Sequence, residues 1–298
     1  MNDAASARRV AWGWTLAFIG SFAFSAKAVL VKLAYQHPVD ALTLITLRML
    51  IAFPLFAGLA WWSGRGRAHL TSRDWLAVLG LGFSGYYLSS LLDFAGLQYI
   101  SASLERLIFY LSPTIVLVLG FVLHRRVIKP LHWAGIAVSY AGIVLVFVRE
   151  LNADGAQLAL GSALVFGSAF FYAIYLVFSA RLIPRLGSLR LVGLATSVAC
   201  ILCVVHFLLV RKVDTLWVGL EVLWLAFLNA TVGTVVPVVL MMLAIERIGA
   251  ASAAQVGMVG PLMTVALATY FLGEAVTPEM VAGTVLVLCG IWVFSRAE

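Results

Sequence analysis

The chain has 298 residues, of which 63% are apolar and only 11% charged, with a mean hydropathy of +1.05 and a formal charge of +7. Soluble domains carry charge at about a quarter of their positions, so an ordinary water-soluble fold is excluded. The basic residues sit in small groups between apolar runs, which argues against nucleic acid as a partner.

Ten apolar stretches follow one another along the chain, at 11–35, 41–62, 74–98, 101–123, 131–149, 157–180, 188–210, 218–245, 252–272 and 279–295. Stretches of this kind match a hydrocarbon core about 30 Å thick, for which about 20 apolar residues suffice as a helix. The first follows Arg8 and Arg9 and resembles a secretion signal as far as the small residues at 23–26. It then continues past Lys27 to Tyr35, outlasting a signal's apolar core, and is read as an uncleaved first helix. All the links are short, so the chain is expected to be one all-α integral membrane unit of ten transmembrane helices. Cys200 and Cys203 form a CxxC inside an apolar span, without the βαβ context of a redox motif.

If alternate links share a side, Arg8, Arg9, Arg65, Arg67, Arg73, Arg125, Arg126, Lys129, Arg181, Arg185, Arg190, Arg247 and Arg296 fall together. Only Arg149, Arg211 and Lys212 fall on the other side. The bias predicts that both termini are cytoplasmic.

The second half repeats the first. At a shift of 148 residues, Ile100, Ala102, Pro113, Leu119, Pro130, Gly135 and Gly142 fall on Ile248, Ala250, Pro261, Leu267, Pro278, Gly283 and Gly290 without a gap. Gly85 and Leu92 match Gly233 and Leu240 at the same shift, and Gly20, Ser21 and Phe24 match Gly167, Ser168 and Phe171 at 147. The halves are therefore residues 1–150 and 151–298, with five helices each. An odd number inverts the second copy, and the links agree: Arg125–Lys129 is basic, while its equivalent Gly273–Val276, followed by Glu279, carries acids only. Two inverted repeats can exchange conformations and open opposite faces in turn, the plan of many secondary carriers.

Arg48, the run Ser101 to Ile108 with Pro113, and in the second half Ala250 to Ala254 with Pro261, Glu274 and Gly283 carry a family resemblance. With these motifs the chain resembles the EamA-type, ten-helix branch of the drug/metabolite transporter superfamily over nearly its whole length. Within it, the chain looks most like the bacterial amino-acid exporters of the YddG type. The resemblance implies export of aromatic or other neutral amino acids across a bacterial inner membrane; ten helices suffice for a complete cavity, so one chain is expected to act alone. One departure is the pair Arg125-Arg126, where the family often has a Glu after helix 4; Glu274 keeps that acid in the second repeat and is assigned an interfacial role.

Several polar side chains recur at helical spacing within these spans. Ser21, Ser25, Ala28 and Lys32 share one face of helix 1, and Ser168, Tyr172, Tyr175 and Ser179 share the equivalent face of helix 6. Polar stripes are costly against lipid, so both are expected to face protein or a water-filled cavity. Tyr86, Ser90 and Asp93 on helix 3, Asn229 and Thr234 on helix 8, and Glu105, Phe109 and Ser112 with Tyr110 on helix 4 complete a predicted midplane pocket. Rings, hydroxyls and few charges suit an amphipathic small molecule. Lys27, Arg48, Asp93, Glu105 and Arg106 are assigned to an outer gate and its ion pairs. Pro113 and Pro261 are placed mid-helix as hinges that bend helices 4 and 9 or free carbonyls for a ligand.

No HExxH, nucleophile elbow or Walker A motif is present, so neither an enzyme nor a self-powered pump is expected. No cofactor or metal is expected either; the partners are a small-molecule substrate and membrane lipids. The alternatives are export of a nucleobase, nucleoside or drug-like compound, or a channel or membrane scaffold. Proton coupling and facilitated diffusion both stand open.

Overall fold

The structure is a computed structural model that describes residues 2–67, 69–124, 130–257 and 259–295. The basic link Arg125–Lys129 and Arg296, which enter the charge argument above, lie outside the described residues.

Helices account for the architecture. In chain order they are α1 (Asn2–Ala34), α2 (Ala41–Gly64), α3 (Ser72–Leu81), a π-helical segment (Gly82–Leu88), α4 (Ser89–Gly96), α5 (Ala102–Phe109), α6 (Ser112–His124) and α7 (Pro130–Leu186). The second half continues with α8 (Ser188–Val210), α9 (Leu220–Ala230), a second π-helical segment (Thr231–Val235), α10 (Val236–Gly257), α11 (Gly260–Leu272) and α12 (Pro278–Ser295). Among the described residues, seven helical segments are long and apolar enough to cross a membrane, and Trp133–Arg149, Gly260–Leu272 and Pro278–Val293 are shorter apolar helices.

Local chemistry sets several helix starts. Asp40 accepts from the Thr43 N–H at 2.7 Å, and Ser101 from the Leu104 N–H at 3.0 Å, so each caps the helix that follows it. Thr71 and Asp74 form a reciprocal capping box at α3.

Two boundaries differ from those read in the sequence. The expected spans 131–149 and 157–180 lie on one helical run, α7. The intervening residues include Glu150, Leu151 and Ala153, which favour helix, and no proline. Likewise α10 runs from the eighth apolar stretch into the ninth, so the ninth begins its independent helix only at Gly260. The prolines are also placed differently from mid-helix hinges. The fourth span breaks between Phe109 and Ser112 and the ninth between Gly257 and Gly260, with Pro113 and Pro261 in the first turn of the helix after each break. That position needs no N–H, which is why proline is tolerated there.

The two halves share these irregularities. Shifted by 148 residues, the first π segment covers the second, and the break after Phe109 falls on the break after Gly257. Packing joins the halves throughout: α1 lies against α10 and α11, α2 against α8, and α12 along α7. The α7–α12 seam brings backbones together, since a Cβ on Gly142 would meet the Gly283 carbonyl, and one on Gly290 the Gly135 carbonyl. Contacts near the helix ends fall into two groups. One group pairs Arg211 with Asp40, His37 with Glu221, and Arg149 with Glu279; the other pairs Arg185 with Asp74 and sets Arg67 on the Leu186 carbonyl.

The glycine seam makes a direct prediction. Gly142→Leu must push α7 and α12 apart, an overpacking cost of about 1–3 kcal/mol. Thermal unfolding in detergent is expected to show a clear drop in Tm, whereas Gly58→Leu, at an exposed site with open space around it, leaves Tm unchanged.

Candidate functional site

Between the halves lies a cavity of about 310 Å³. Gly20, Ser21, Phe24 and Ser25 of α1 form one wall, and Tyr172, Tyr175, Leu176 and Ser179 of α7 the facing one. Tyr86, Tyr110 and Arg106 close its deep end, and Pro237, Val238, Met241 and Met242 of α10 complete the lining. From there the cavity extends to Ile183, Ser188 and Leu191, where Ile183 is 40% exposed, beside Arg185 and Arg190.

The aromatic rings hold one another in place. Tyr86 donates to the Tyr175 hydroxyl at 3.4 Å with the rings edge to face, Tyr172 stacks on Tyr175 at 5.8 Å, and Phe109 packs on Tyr172 at 5.3 Å. Edge-to-face and offset contacts of this kind fix ring positions. Tyr175 fits only because residue 85 is glycine: a Cβ there would clash with the base of its ring, at Cγ, Cβ and Cδ2. The Ser25 hydroxyl is engaged with the Ser21 and Gly260 carbonyls at 2.9 and 3.0 Å, while the buried Ser21 hydroxyl has no partner and faces the cavity.

A second, smaller recess of about 70 Å³ shares Phe24, Tyr86, Tyr172 and Val238 with the cavity. Its walls are more polar and include Lys27, Arg48, Ser89, Ser90, Asp93, Ser168 and Thr234. Lys27 is the centre of the charge cluster, with its ammonium donating to Asp93 Oδ2 at 2.7 Å and to Glu105 Oε1 at 3.5 Å. It also lies 5.1 Å from the centre of the Phe109 ring. Asp93 and Glu105 are 2% and 0% exposed, so this is a pairing of charges inside protein. Arg106 reaches across to Thr264 Oγ1 and the Phe24 carbonyl, and Arg48 donates to Ser90 Oγ.

The proline breaks do free carbonyls, but side chains of the protein take them. Tyr110 donates to the Gly257 carbonyl and Ser112 to that of Phe109, each the acceptor that the proline four residues on leaves without its N–H. At the other end of the fourth span, Glu274 accepts from the Ala102 and Ser103 N–H groups and from the Ser103 hydroxyl. A carboxylate from the second half thus caps a helix of the first, a favourable charge at a helix N-terminus.

Residues 11–148 match the EamA-like transporter family, and residues 159–296 match it again. The chain belongs to the EamA-like transporter family. It is 31% identical to the uncharacterized transporter YcbK of Bacillus subtilis, over 90% of this chain and 87% of that one. It is 23% identical to an uncharacterized transporter of Archaeoglobus fulgidus, over 95% of each chain. A solved crystal structure shares the fold, with a TM-score of 0.64 at 19% identity over 94% of this chain and 95% of that one. The family and its transporter-named relatives point to a multi-pass membrane transporter of the drug/metabolite superfamily.

In this EamA-family chain the residues singled out from sequence divide by location. Ser21, Ser25, Tyr86, Tyr110, Tyr172, Tyr175 and Arg106 line the large cavity. Lys27, Arg48, Tyr86, Ser90, Asp93, Phe109, Ser168, Tyr172 and Thr234 line the recess. Three do neither: Ser112 bonds within its own turn, Asn229 donates to the Lys27 carbonyl at 3.0 Å, and Glu105 lies behind Lys27. The cavity also uses Gly20, Phe24, Met241 and Met242, none of them assigned to the pocket by sequence. A signal existed, since Gly20 and Phe24 recur as Gly167 and Phe171 and Met241 is the repeat equivalent of Asp93. Ser89, which bonds Ser168 at 3.0 Å, was hidden by the π segment, whose wider turn upsets the spacing used to group Tyr86, Ser90 and Asp93.

Two outcomes follow for variants. Lys27→Met leaves two buried carboxylates without their cation and is expected to destabilise the fold by about 3–5 kcal/mol. The triple change Lys27→Met, Asp93→Asn, Glu105→Gln recovers much of that loss, as measured by thermal unfolding. Gly85→Val drives Tyr175 into the cavity and is expected to abolish flux while the protein stays monodisperse in size-exclusion chromatography.

Proposed function

We propose that this chain is a secondary transporter that exports small amphipathic metabolites across a bacterial inner membrane by alternating access. Aromatic and other neutral amino acids are its preferred substrates, in the manner of the YddG-type exporters it resembles. The ten apolar segments are taken as two inverted five-helix repeats with both termini in the cytoplasm, which requires the chain to reverse between Arg149 and Gln157, where α7 runs on as helix. The Arg211–Asp40 and His37–Glu221 pairs join two links that this topology puts on one side, in support of it.

The observation that carries the reading is the two-part site. An aromatic cavity of about 310 Å³ lies beside a charged recess of about 70 Å³ and shares walls with it, which suits a solute with an apolar body and a polar head. On the proposed topology the cavity reaches the cytoplasmic side at Ile183 and Ser188, where an exported solute would enter. The buried cluster around Lys27 lies at its closed end and holds the opposite gate shut.

Flux into proteoliposomes tests this reading, with labelled phenylalanine, tryptophan, methionine, threonine, adenine and a quaternary ammonium dye, each with and without a pH gradient. Saturable, mutually competing amino-acid flux is the expected result. Flux of adenine or the dye alone would replace the substrate class, and conductance without counterflow would replace the carrier by a channel.

A further inference from the structure

The recess contains a buried cation that makes no direct ion pair among the described residues. Arg48 is 3% exposed and forms no ion pair with any described residue. Its contacts are the Ser90 hydroxyl at 3.0 Å and the face of Phe94, 4.7 Å from its guanidinium carbon. Its Nε is buried without an acceptor among the described residues. The two nearby carboxylates are taken by Lys27, and Arg106 is satisfied by neutral oxygens, so three buried cations face two buried anions. Burying an uncompensated charge is costly, which makes such a guanidinium a receptor for an anion. The recess adjoins the aromatic cavity and shares Phe24, Tyr86, Tyr172 and Val238 with it, so the head of a solute held in one lies beside the other.

We propose that the recess is the subsite for the carboxylate of the transported solute, which Arg48 binds, while the apolar remainder lies among the rings of the cavity. This rests on the transport reading above and narrows it to solutes with a carboxylate head and an apolar tail. The guanidinium presents Nε and an Nη as a fork that fits two carboxylate oxygens, a geometry a lysine cannot reproduce. Asp93, already paired with Lys27 in the recess wall, is the acid nearest to an α-ammonium on the same solute. Arg48 thereby moves from the gate, where sequence alone set it, to the substrate. A nucleobase or an organic cation would leave Arg48 without an anion.

Three matched probes decide the matter on the purified full-length protein in chloride-free detergent buffer. L-phenylalanine, 3-phenylpropionate and phenethylamine differ only in which end group they carry. Calorimetric titration is expected to show saturable binding of the first two and at least tenfold weaker binding of the amine. Arg48→Gln is expected to weaken 3-phenylpropionate at least tenfold, and Arg48→Lys, which keeps the charge but loses the fork, to restore only part of that affinity. The comparison of probes on the unaltered protein answers the question even if Arg48→Gln fails to fold. Equal binding of amine and acid, no binding of 3-phenylpropionate, or wild-type affinity in folded Arg48→Gln each overturns the subsite. Phenylalanine flux that ignores Arg48→Gln would sink the subsite and spare the transport reading. Binding of 3-phenylpropionate through Arg48 in a protein that moves no amino acid would do the reverse.

Discussion

The ammonium of Lys27, held between Asp93 and Glu105, is the interaction on which the rest of the interior depends. It ties α1 to α4 and α5 in one step, and Asn229 adds α9 by donating to the Lys27 backbone carbonyl. Removing any one of the three charges exposes the others to an environment with no water to replace it. The cluster therefore fixes the relative positions of four helices around the recess. The aromatic walls of the cavity are arranged on that frame: Phe109 touches both the ammonium and Tyr172, and Tyr172 in turn stacks on Tyr175.

The two halves are alike in backbone and unlike in chemistry. The π segments and the broken spans recur at one register, and the glycine seam of α7 and α12 draws equivalent small residues from each half. Yet the buried charges belong to the first half: Asp93 is answered by Met241, Glu105 by Ala253 and Arg106 by Ala254. A shared scaffold leaves the cavity with one charged end and one apolar side. A solute with distinct ends can then lie in it in a single orientation, which a symmetric site would not enforce.

Much of this was legible in the amino-acid sequence because the membrane imposes simple rules. Apolar length located the helices, and the stripes Ser21–Ser25 and Tyr172–Tyr175 pointed to a common cavity because polar groups avoid lipid. What the sequence concealed depended on departures from regular spacing. The wider turn of Gly82–Leu88 brings Ser89 into the recess alongside Ser90 and Asp93, which no α-helical wheel would group. The helical link through α7 was missed because a short polar stretch reads as a loop when its neighbours are long apolar spans. The absence of a direct ion pair at Arg48 among the described residues could not be read until the partners of Lys27 and Arg106 were known. Pairing of charges is a property of three-dimensional distance, and spacing along one helix says little about it.

The π segments recur at one register. Gly82–Leu88 and Thr231–Val235 overlap after a shift of 148 residues, as do the breaks before Pro113 and Pro261. A π turn is rare inside α-helices and is found most often at functional sites. Each half therefore departs from regular helix at equivalent points, and both departures border the residues that line the cavity and the recess.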